Sequence, residues 1–278
     1  MKIIDARATL RTEQLLQPWI AEEKAYVKDY VRLYKMKSRL SVMPVDELID
    51  QAAQSKIERM VVCGNCQEDN DHVLQISKEN EAIIPVGYIS VERGVRFALR
   101  EVDRCYKDGF AAIYLASYTK RLDVNDRLQY PVYGFCELMR IPVIIHGSIH
   151  FWQGSSMWHG QPQYIDEIAV DFPELKIIVS HGGNGFGPPI LAVAQRHPNI
   201  FLEFSALNPR YMAPEFLYAA NSYLKERCLF GTDYPLVEFD TAIQRWKKVL
   251  RENVWDRFFY QNVLDALYKE PVLYENNN

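Results

Sequence analysis

The hydrophobic residues of this chain gather into short, β-branched runs that recur along its whole length. Eight runs are present, at residues 2–5, 60–64, 82–90, 110–117, 142–147, 176–181, 200–205 and 228–233. Within each run the apolar positions are continuous rather than alternating, which is typical of parallel strands covered on both faces. The pattern therefore predicts eight buried parallel strands.

Apolar residues at helical spacing fill most of the intervals between these runs. The predicted helices cover residues 45–53, 94–106, 133–139, 164–170, 190–196, 214–224 and 240–250. We expect Gly109 to terminate the second of them in a left-handed conformation, and Asp240 and Thr241 to cap the last. Strands that alternate with helices predict an α/β fold, specifically a single eight-stranded β/α barrel of the TIM type.

An open, doubly wound sheet is the alternative, and it would require a glycine-rich loop that binds a ligand. The best candidate is the segment 181–189, but its glycines do not have the GxGxxG spacing of a dinucleotide site. We therefore favour the closed barrel and expect no nucleotide cofactor.

The barrel is predicted to occupy residues 1–278 as one domain. Residues 10–43 are too long for an ordinary βα loop and form an excursion after the first strand. We expect this excursion to be a lid or a subunit interface, with a surface helix packed on the barrel as an equal alternative. The polar tail, residues 274–278, is expected to fray.

Composition narrows the functional classes. The 278 residues are 48% hydrophobic, and the net charge of -4 comes without a basic stripe, so we expect no nucleic-acid partner. No apolar run approaches the roughly 18 residues of a membrane span, and no signal peptide is evident, so a cytoplasmic location is expected. Five cysteines, an odd number, argue against a disulfide framework. We interpret Cys63 and Cys66 as reduced thiols rather than as a redox or metal motif.

Polar residues stand where the predicted strands end, which is where barrel enzymes carry their chemistry. They are Asp5, Arg7, His146, His181, Glu203 and Asp233. Imidazole together with carboxylate suits a zinc-like divalent ion, while Asp233 alone could act as a general base. We interpret Glu203 as an internal ion-pair partner. His150, Trp152 and Tyr234 lie near the predicted mouth and are candidates for substrate binding.

Five elements resemble one family, in the same order along the chain. They are Pro142–Gly147 (PVIIHG), Phe172–Gly183 (FPELKIIVSHGG), Pro198–Ser205 (PNIFLEFS), Leu229–Pro235 (LFGTDYP) and Gln261–Leu267 (QNVLDAL). Together they resemble the amidohydrolase-related metal-dependent barrels of the aminocarboxymuconate-semialdehyde and resorcylate decarboxylase type. The resemblance implies that His146 is a metal ligand, that His181 is a ligand or orients water and substrate, and that Asp233 is a ligand and proton shuttle. It also implies a homodimer.

The opening of the chain departs from the family pattern. Ile3–Ala6 fits the family, but Arg7 and Thr9 stand where two metal-binding histidines belong. Arginine cannot ligate a cation. A like charge about 4 Å away costs roughly 4 kcal/mol per unit charge at an effective dielectric constant near 20. His146, His181 and Asp233 remain as an incomplete set of candidate ligands, so the sequence favours a site in which Arg7 replaces the divalent metal.

We therefore predict a hydrolase of the amidohydrolase superfamily that acts on a small carboxylate- or lactone-bearing substrate. In this hypothesis Asp233 activates water, while His146, His181 and Arg7 polarise or bind the substrate. A non-oxidative decarboxylase of the same family is the first alternative. A catalytically degenerate barrel that only binds a ligand is the second.

Overall fold

The computed structural model describes residues 1–21, 25–34, 41–150 and 152–268. Eight parallel strands, each hydrogen-bonded to the next in chain order, form the sheet. They are β1 (Ile3–Ala8), β2 (Ile57–Cys63), β3 (Ile83–Tyr88), β4 (Ala112–Leu115), β5 (Val143–Ile145), β6 (Ile177–Val179), β7 (Ile200–Glu203) and β8 (Cys228–Leu229). Each lies within or overlaps a predicted run, which confirms the eight predicted strands.

The two ends of the sheet meet and close the barrel. The Ala6 backbone N–H donates to the Phe230 carbonyl at 2.9 Å, and the Asp233 N–H donates to the Arg7 carbonyl at 2.8 Å. The fully buried Asp5 carboxylate accepts a hydrogen bond of 2.9 Å from the Thr232 N–H. The predicted TIM-type barrel is thus confirmed, and its closure places Arg7 of β1 directly beside Asp233 after β8.

The helices surround this barrel. They are α1 (Glu13–Ala21), α2 (Ala25–Tyr34), α3 (Val45–Gln54), α4 (Asn70–Glu79), α5 (Val95–Asp108), α6 (Tyr130–Leu138), α7 (Pro162–Asp171), α8 (Pro189–Arg196), α9 (Pro214–Ala220), α10 (Phe239–Lys247) and α11 (Asn262–Leu267). Gly109 ends α5 with φ 89°, as predicted. The predicted cap of α10 is wrong, because Glu238 is its N-cap and Asp240 lies in the first turn, where the helix dipole favours a carboxylate.

Two apolar layers result from the strand alternation. Residues that face the barrel axis form an inner cluster, which includes Ile4, Val61, Ile84, Ala112, Ile144, Ile178, Phe201 and Leu229. The other strand face packs against the helices in the larger cluster. Because the inner layer fills the barrel, a ligand can enter only at its ends. Among the described residues, no helix is long and apolar enough to cross a membrane.

The excursion after β1 contains α1 and α2, while residues 22–24 and 35–40 lie outside the described part of the chain. Asp29 of α2 accepts a hydrogen bond of 3.1 Å from the Gln153 N–H, in the loop after β5. This contact places α2 at the mouth of the barrel, where a lid would lie. The tail, residues 274–278, is outside the described residues.

Candidate active site

A cavity of about 380 Å³ opens at the carboxyl ends of the strands. Arg7, His146, His181 and Asp233 all line it, so the barrel brings four residues from separate parts of the sequence to one place. Leu16 of α1 and Val27 of α2 add apolar wall from the excursion. The volume suits a small, single-ring molecule rather than a polymer.

Arg7 lies in the cavity wall with its guanidinium loosely held. Its Nε is 3.5 Å from Asp233 Oδ1, Nη1 is 3.5 Å from Ser180 Oγ, and Nη2 is 3.5 Å from the Tyr114 hydroxyl. The two Nη distances are at the outer limit for hydrogen bonds, and Nε has no hydrogen-bond partner among the described residues. Burial opposes the charge, but Tyr114 and Asp233 raise the pKa of Arg7 above its ordinary value. Arg7 is therefore a permanent cation, and its N–H groups can form shorter hydrogen bonds to an incoming anion.

Three of the cavity residues, Ala206 with φ 60° among them, have unusual backbone conformations. His181 has φ 56° and Asp233 has φ 52°, both in the left-handed region that non-glycine residues rarely adopt. Such strained conformations concentrate at functional sites, because surrounding structure must hold them. At Asp233 the hydrogen bond of its N–H to the Arg7 carbonyl contributes to that restraint.

His146 is buried beside two aromatic rings. Its ring centroid is 4.3 Å from that of Tyr118 and 5.0 Å from that of His181. Burial, then the charges of His181 and Arg7, lower the pKa of His146 well below the ordinary histidine value. His146 is therefore neutral at physiological pH. Within the described part of the chain its Nδ1 is buried and has no hydrogen-bond partner.

A chain of hydrogen bonds runs from His181 into the protein interior. His181 Nδ1 lies 3.0 Å from Ser205 Oγ and 3.2 Å from the Ser205 carbonyl oxygen. The Ser205 hydroxyl donates to Glu203 Oε2 at 3.0 Å, and the Ser205 N–H donates to Glu203 Oε1. The sequence favoured an ion-pair role for Glu203. In the structure its hydrogen bonds are to Ser205, and the charge of Arg7 acts on it at longer range.

The buried carboxyl groups predict a pH dependence of stability. Burial raises the pKa of Asp5 from 3.8 to about 7 and that of Glu203 from 4.5 to about 7. Since both folded-state values lie above the unfolded ones, their stabilising contribution is complete below about pH 4 and is lost as the pH rises to 7. We expect urea denaturation to give a free energy of unfolding that falls over this range. For Glu203→Gln we expect the free energy of unfolding to fall less steeply with pH. An unchanged slope in that variant would contradict a raised pKa of Glu203.

The described side chains at the cavity do not make a complete metal-binding set. Among the described residues, no group of three or more histidine, cysteine, aspartate or glutamate side chains is arranged to hold an ion. The Arg7 charge faces Asp233 at 3.5 Å, and His181 Nδ1 is engaged by Ser205. Arg7 and Thr9, which line the cavity where the family resemblance implied two histidine ligands, supply no imidazole.

The three further candidates for substrate binding lie in different surroundings. His150 lines the cavity, stacks on Tyr118 at 4.4 Å and contacts the Ser156 carbonyl through Nε2 at 3.0 Å. Of the described residues in the cavity wall, none is Trp152 or Tyr234. Trp152 packs against the inner cluster, and the buried Tyr234 donates a hydrogen bond of 2.6 Å to Gln51. Their roles in substrate binding stay predictions.

Sequence reasoning missed Tyr114, Tyr118 and Ser180. Tyr114 and Tyr118 line the cavity, and Ser180 lies within reach of Arg7. Tyr114 carried a usable signal, since it is a polar-tipped residue near the end of the fourth predicted strand. Ser180 immediately precedes His181 and had no distinguishing feature in the sequence.

Solved structures share this fold over nearly the whole chain. The TIM-barrel protein Bb4693 from Bordetella bronchiseptica is 23% identical, with a TM-score of 0.82 over 97% of this chain and 99% of that one. A 5-carboxyvanillate decarboxylase from Novosphingobium aromaticivorans, complexed with manganese and 4-hydroxy-3-methoxy-5-nitrobenzoic acid, is 12% identical, with a TM-score of 0.74 over 96% of both chains. The 4-oxalomesaconate hydratase LigJ from Rhodopseudomonas palustris is 18% identical, with a TM-score of 0.68 over 96% of both chains.

At these identities the likeness establishes the fold, and the family comes from the sequence. The profile described as Amidohydrolase matches residues 17–276, nearly the whole chain. The resemblance noted in the strand-end motifs is thereby confirmed: the protein belongs to the amidohydrolase family.

Proposed function

We propose that this protein is a metal-independent enzyme that decarboxylates a small hydroxylated ring carboxylate. The observation that carries the proposal is Arg7, a half-buried guanidinium with three contacts of 3.5 Å, placed beside Asp233 in a cavity of single-ring size. A guanidinium binds a carboxylate through two parallel hydrogen bonds. It can therefore hold the substrate carboxylate that a divalent ion would otherwise bind.

The proposed reaction begins with competition for Arg7. A substrate carboxylate that pairs with the guanidinium displaces Asp233, and loss of that positive partner favours protonation of Asp233. Asp233 then delivers its proton to the ring carbon that bears the carboxylate. The carbon–carbon bond breaks, its electron pair returns to the ring, and carbon dioxide leaves. Solvent restores the proton of Asp233, so one proton is consumed for each carbon dioxide released.

Relatives of known activity support this choice. The Novosphingobium relative is a decarboxylase whose bound ligand is a hydroxylated benzoic acid. Tyr114 and Tyr118 give this cavity aromatic walls against which a planar ring can pack. The relative's complex contains manganese, and in this chain we assign the cationic role to Arg7.

Hydrolysis of a lactone that carries a carboxylate is the second candidate. The Arg7–Asp233 contact favours it, because a cation beside Asp233 keeps the aspartate ionised and able to act as a base toward water. His146, neutral and lining the same cavity, could donate a hydrogen bond to the lactone carbonyl.

Both candidates can be tested in one assay. Purified protein, treated with a chelator or left untreated, is incubated in D₂O with 5-carboxyvanillate, with ortho-hydroxybenzoates and with carboxylated lactones. We expect carbon dioxide release, one deuterium at the vacated ring carbon, and equal rates with and without chelator. Lactone opening without carbon dioxide release would favour hydrolysis. Turnover that is lost on chelation and restored by manganese would contradict the role given to Arg7.

A further inference from the structure

His181 is held from one side by Ser205, and the geometry restricts which of its nitrogens carries the proton. The Ser205 carbonyl oxygen lies 3.2 Å from His181 Nδ1. A carbonyl oxygen can only accept a hydrogen bond. The Nδ1 atom must therefore be the donor in this contact.

The Ser205 hydroxyl leads to the same assignment. It lies 3.0 Å from His181 Nδ1 and 3.0 Å from Glu203 Oε2. An ionised carboxylate only accepts hydrogen bonds, so the hydroxyl proton points to Glu203 and the hydroxyl oxygen receives the Nδ1 proton. Two independent acceptors on one residue thus select the same tautomer.

Glu203 is fixed in this position by the fold. Glu203 is 1% exposed and Ser205 is fully buried. A side chain at Gly231 would place its Cβ 2.5 Å from Glu203 Oε1, so only glycine at that position leaves room for the carboxylate. Burial raises the pKa of Glu203 to about 7, although the charge of Arg7 and both bonds from Ser205 lower it, so the carboxylate is ionised at mildly alkaline pH.

We propose that Glu203 and Ser205 are positioning residues that hold His181 as its Nδ1–H tautomer, so that Nε2 accepts a hydrogen bond from a hydroxyl group of the substrate. This inference rests on the proposed function for its role in turnover. It deepens that function, because the cavity then requires a hydroxy-carboxylate, with an anion for Arg7 and an O–H donor for His181. It also differs from the role expected from the sequence, since an Nε2 atom without a proton cannot polarise a carbonyl.

Acceptance by Nε2 fits the proposed chemistry. As the substrate O–H bond weakens, its electron pair stays on oxygen and raises the electron density of the ring carbon that Asp233 protonates. His181 becomes positively charged, and the hydrogen bonds from Nδ1–H to the Ser205 hydroxyl and from that hydroxyl to Glu203 stabilise the charge without transfer of the Nδ1 proton. After carbon dioxide leaves, the substrate proton returns to the oxygen. A buried acid that orients a histidine in this way is an established catalytic arrangement.

The tautomer can be measured without any substrate, by ¹⁵N-correlated NMR of the histidine rings at mildly alkaline pH, where histidine is neutral. In the native protein we expect the His181 signal of an Nδ1–H tautomer. Glu203→Gln keeps the shape but can turn an amide N–H toward Ser205 Oγ, which makes the hydroxyl donate to Nδ1. We expect this variant to shift His181 toward the Nε2–H form. In the double variant Glu203→Gln with Ser205→Ala, the backbone carbonyl of residue 205 is the remaining acceptor for His181 Nδ1. The Nδ1–H form should therefore return.

Controls separate this result from a general change in structure. Asp166→Asn is the matched variant, because Asp166 contacts the ring of His197 at 2.7 Å in a half-buried pair outside the cavity, and it should alter only the His197 signal. If Glu203→Gln does not fold, Gly231→Ala, whose Cβ would lie 2.5 Å from Glu203 Oε1 and 2.9 Å from Ser205 Cβ, displaces this pair and should shift His181 away from the Nδ1–H form. An Nε2–H signal in the native protein, or a His181 signal indifferent to Glu203, would overturn the inference. A failed turnover assay would leave the NMR result unaffected, so the two failures are distinguishable.

Discussion

Asp233→Asn is expected to lower kcat by about two to four orders of magnitude, the usual contribution of a positioned acid or base. Asparagine has nearly the same shape as aspartate but cannot deliver or accept the proton. It also tolerates a left-handed backbone, so the φ of 52° at this position should survive. Steady-state kinetics on the substrate found in the assay above, together with a thermal melt to verify folding, provide the measurement.

Asp166→Asn is the matched control for this change. Asp166 pairs with Arg196 at 3.1 Å outside the cavity. The Asp166→Asn change therefore removes one aspartate charge from an aspartate–arginine pair, as Asp233→Asn does, but away from the site. Its kcat should stay within about a factor of two, as surface pairs contribute little. If Asp233→Asn retained a tenth or more of the native kcat, both the decarboxylation and the hydrolysis mechanisms would be wrong at this residue.

Arg7→Met is expected to lower kcat/KM by about two to three orders of magnitude, mainly through a higher KM. Truncation of one partner in a buried charged pair costs about 2–5 kcal/mol of binding free energy. This cost sets the expected range of the change in kcat/KM. Methionine fills much of the arginine volume, so the cavity should keep its shape while it loses the cation. Kinetics with the carboxylate substrate, together with inhibition by its neutral methyl ester, which cannot lose carbon dioxide, would show the effect, since only the carboxylate should lose affinity.

Arg7→Lys separates charge from shape. Lysine keeps a positive charge but lacks the planar fork that matches a carboxylate, so we expect a kcat/KM between those of the native protein and Arg7→Met. Arg196→Met is the matched surface control and should change kcat/KM by less than about a factor of two. An Arg7→Met protein with an unaltered KM for the carboxylate would show that the anion binds elsewhere.

The barrel was accessible from the sequence because its determinants are local. Each strand needs only a short, β-branched apolar run, such as Pro142–Gly147, and a following amphipathic segment. Helix α4 was not predicted, and other errors arose at element ends, as at α10, where Glu238 rather than Asp240 or Thr241 is the N-cap. There, tertiary packing decides between neighbouring start positions that local chemistry does not distinguish.

The candidate site was accessible only in part. His146, His181 and Asp233 stand directly after predicted strands, so the rule that chemistry lies at strand ends located them, and the structure brings them to one cavity. Tyr118, which packs against His146 at 4.3 Å, lies in a loop segment with no motif. Its contact with the site depends on the path of the loop after β4.

The sequence by itself determined the number and order of the strands, the family, and the replacement of two expected histidines by Arg7 and Thr9. Only the tertiary structure decided what Arg7 touches and how His181 is held. The Arg7–Asp233 contact joins residues from the two ends of the barrel sheet, and the Ser205–His181 contact joins the ends of two neighbouring strands. The physical reason is that residue periodicity specifies which face of a strand is buried, whereas barrel closure and register fix distances between residues far apart in the chain.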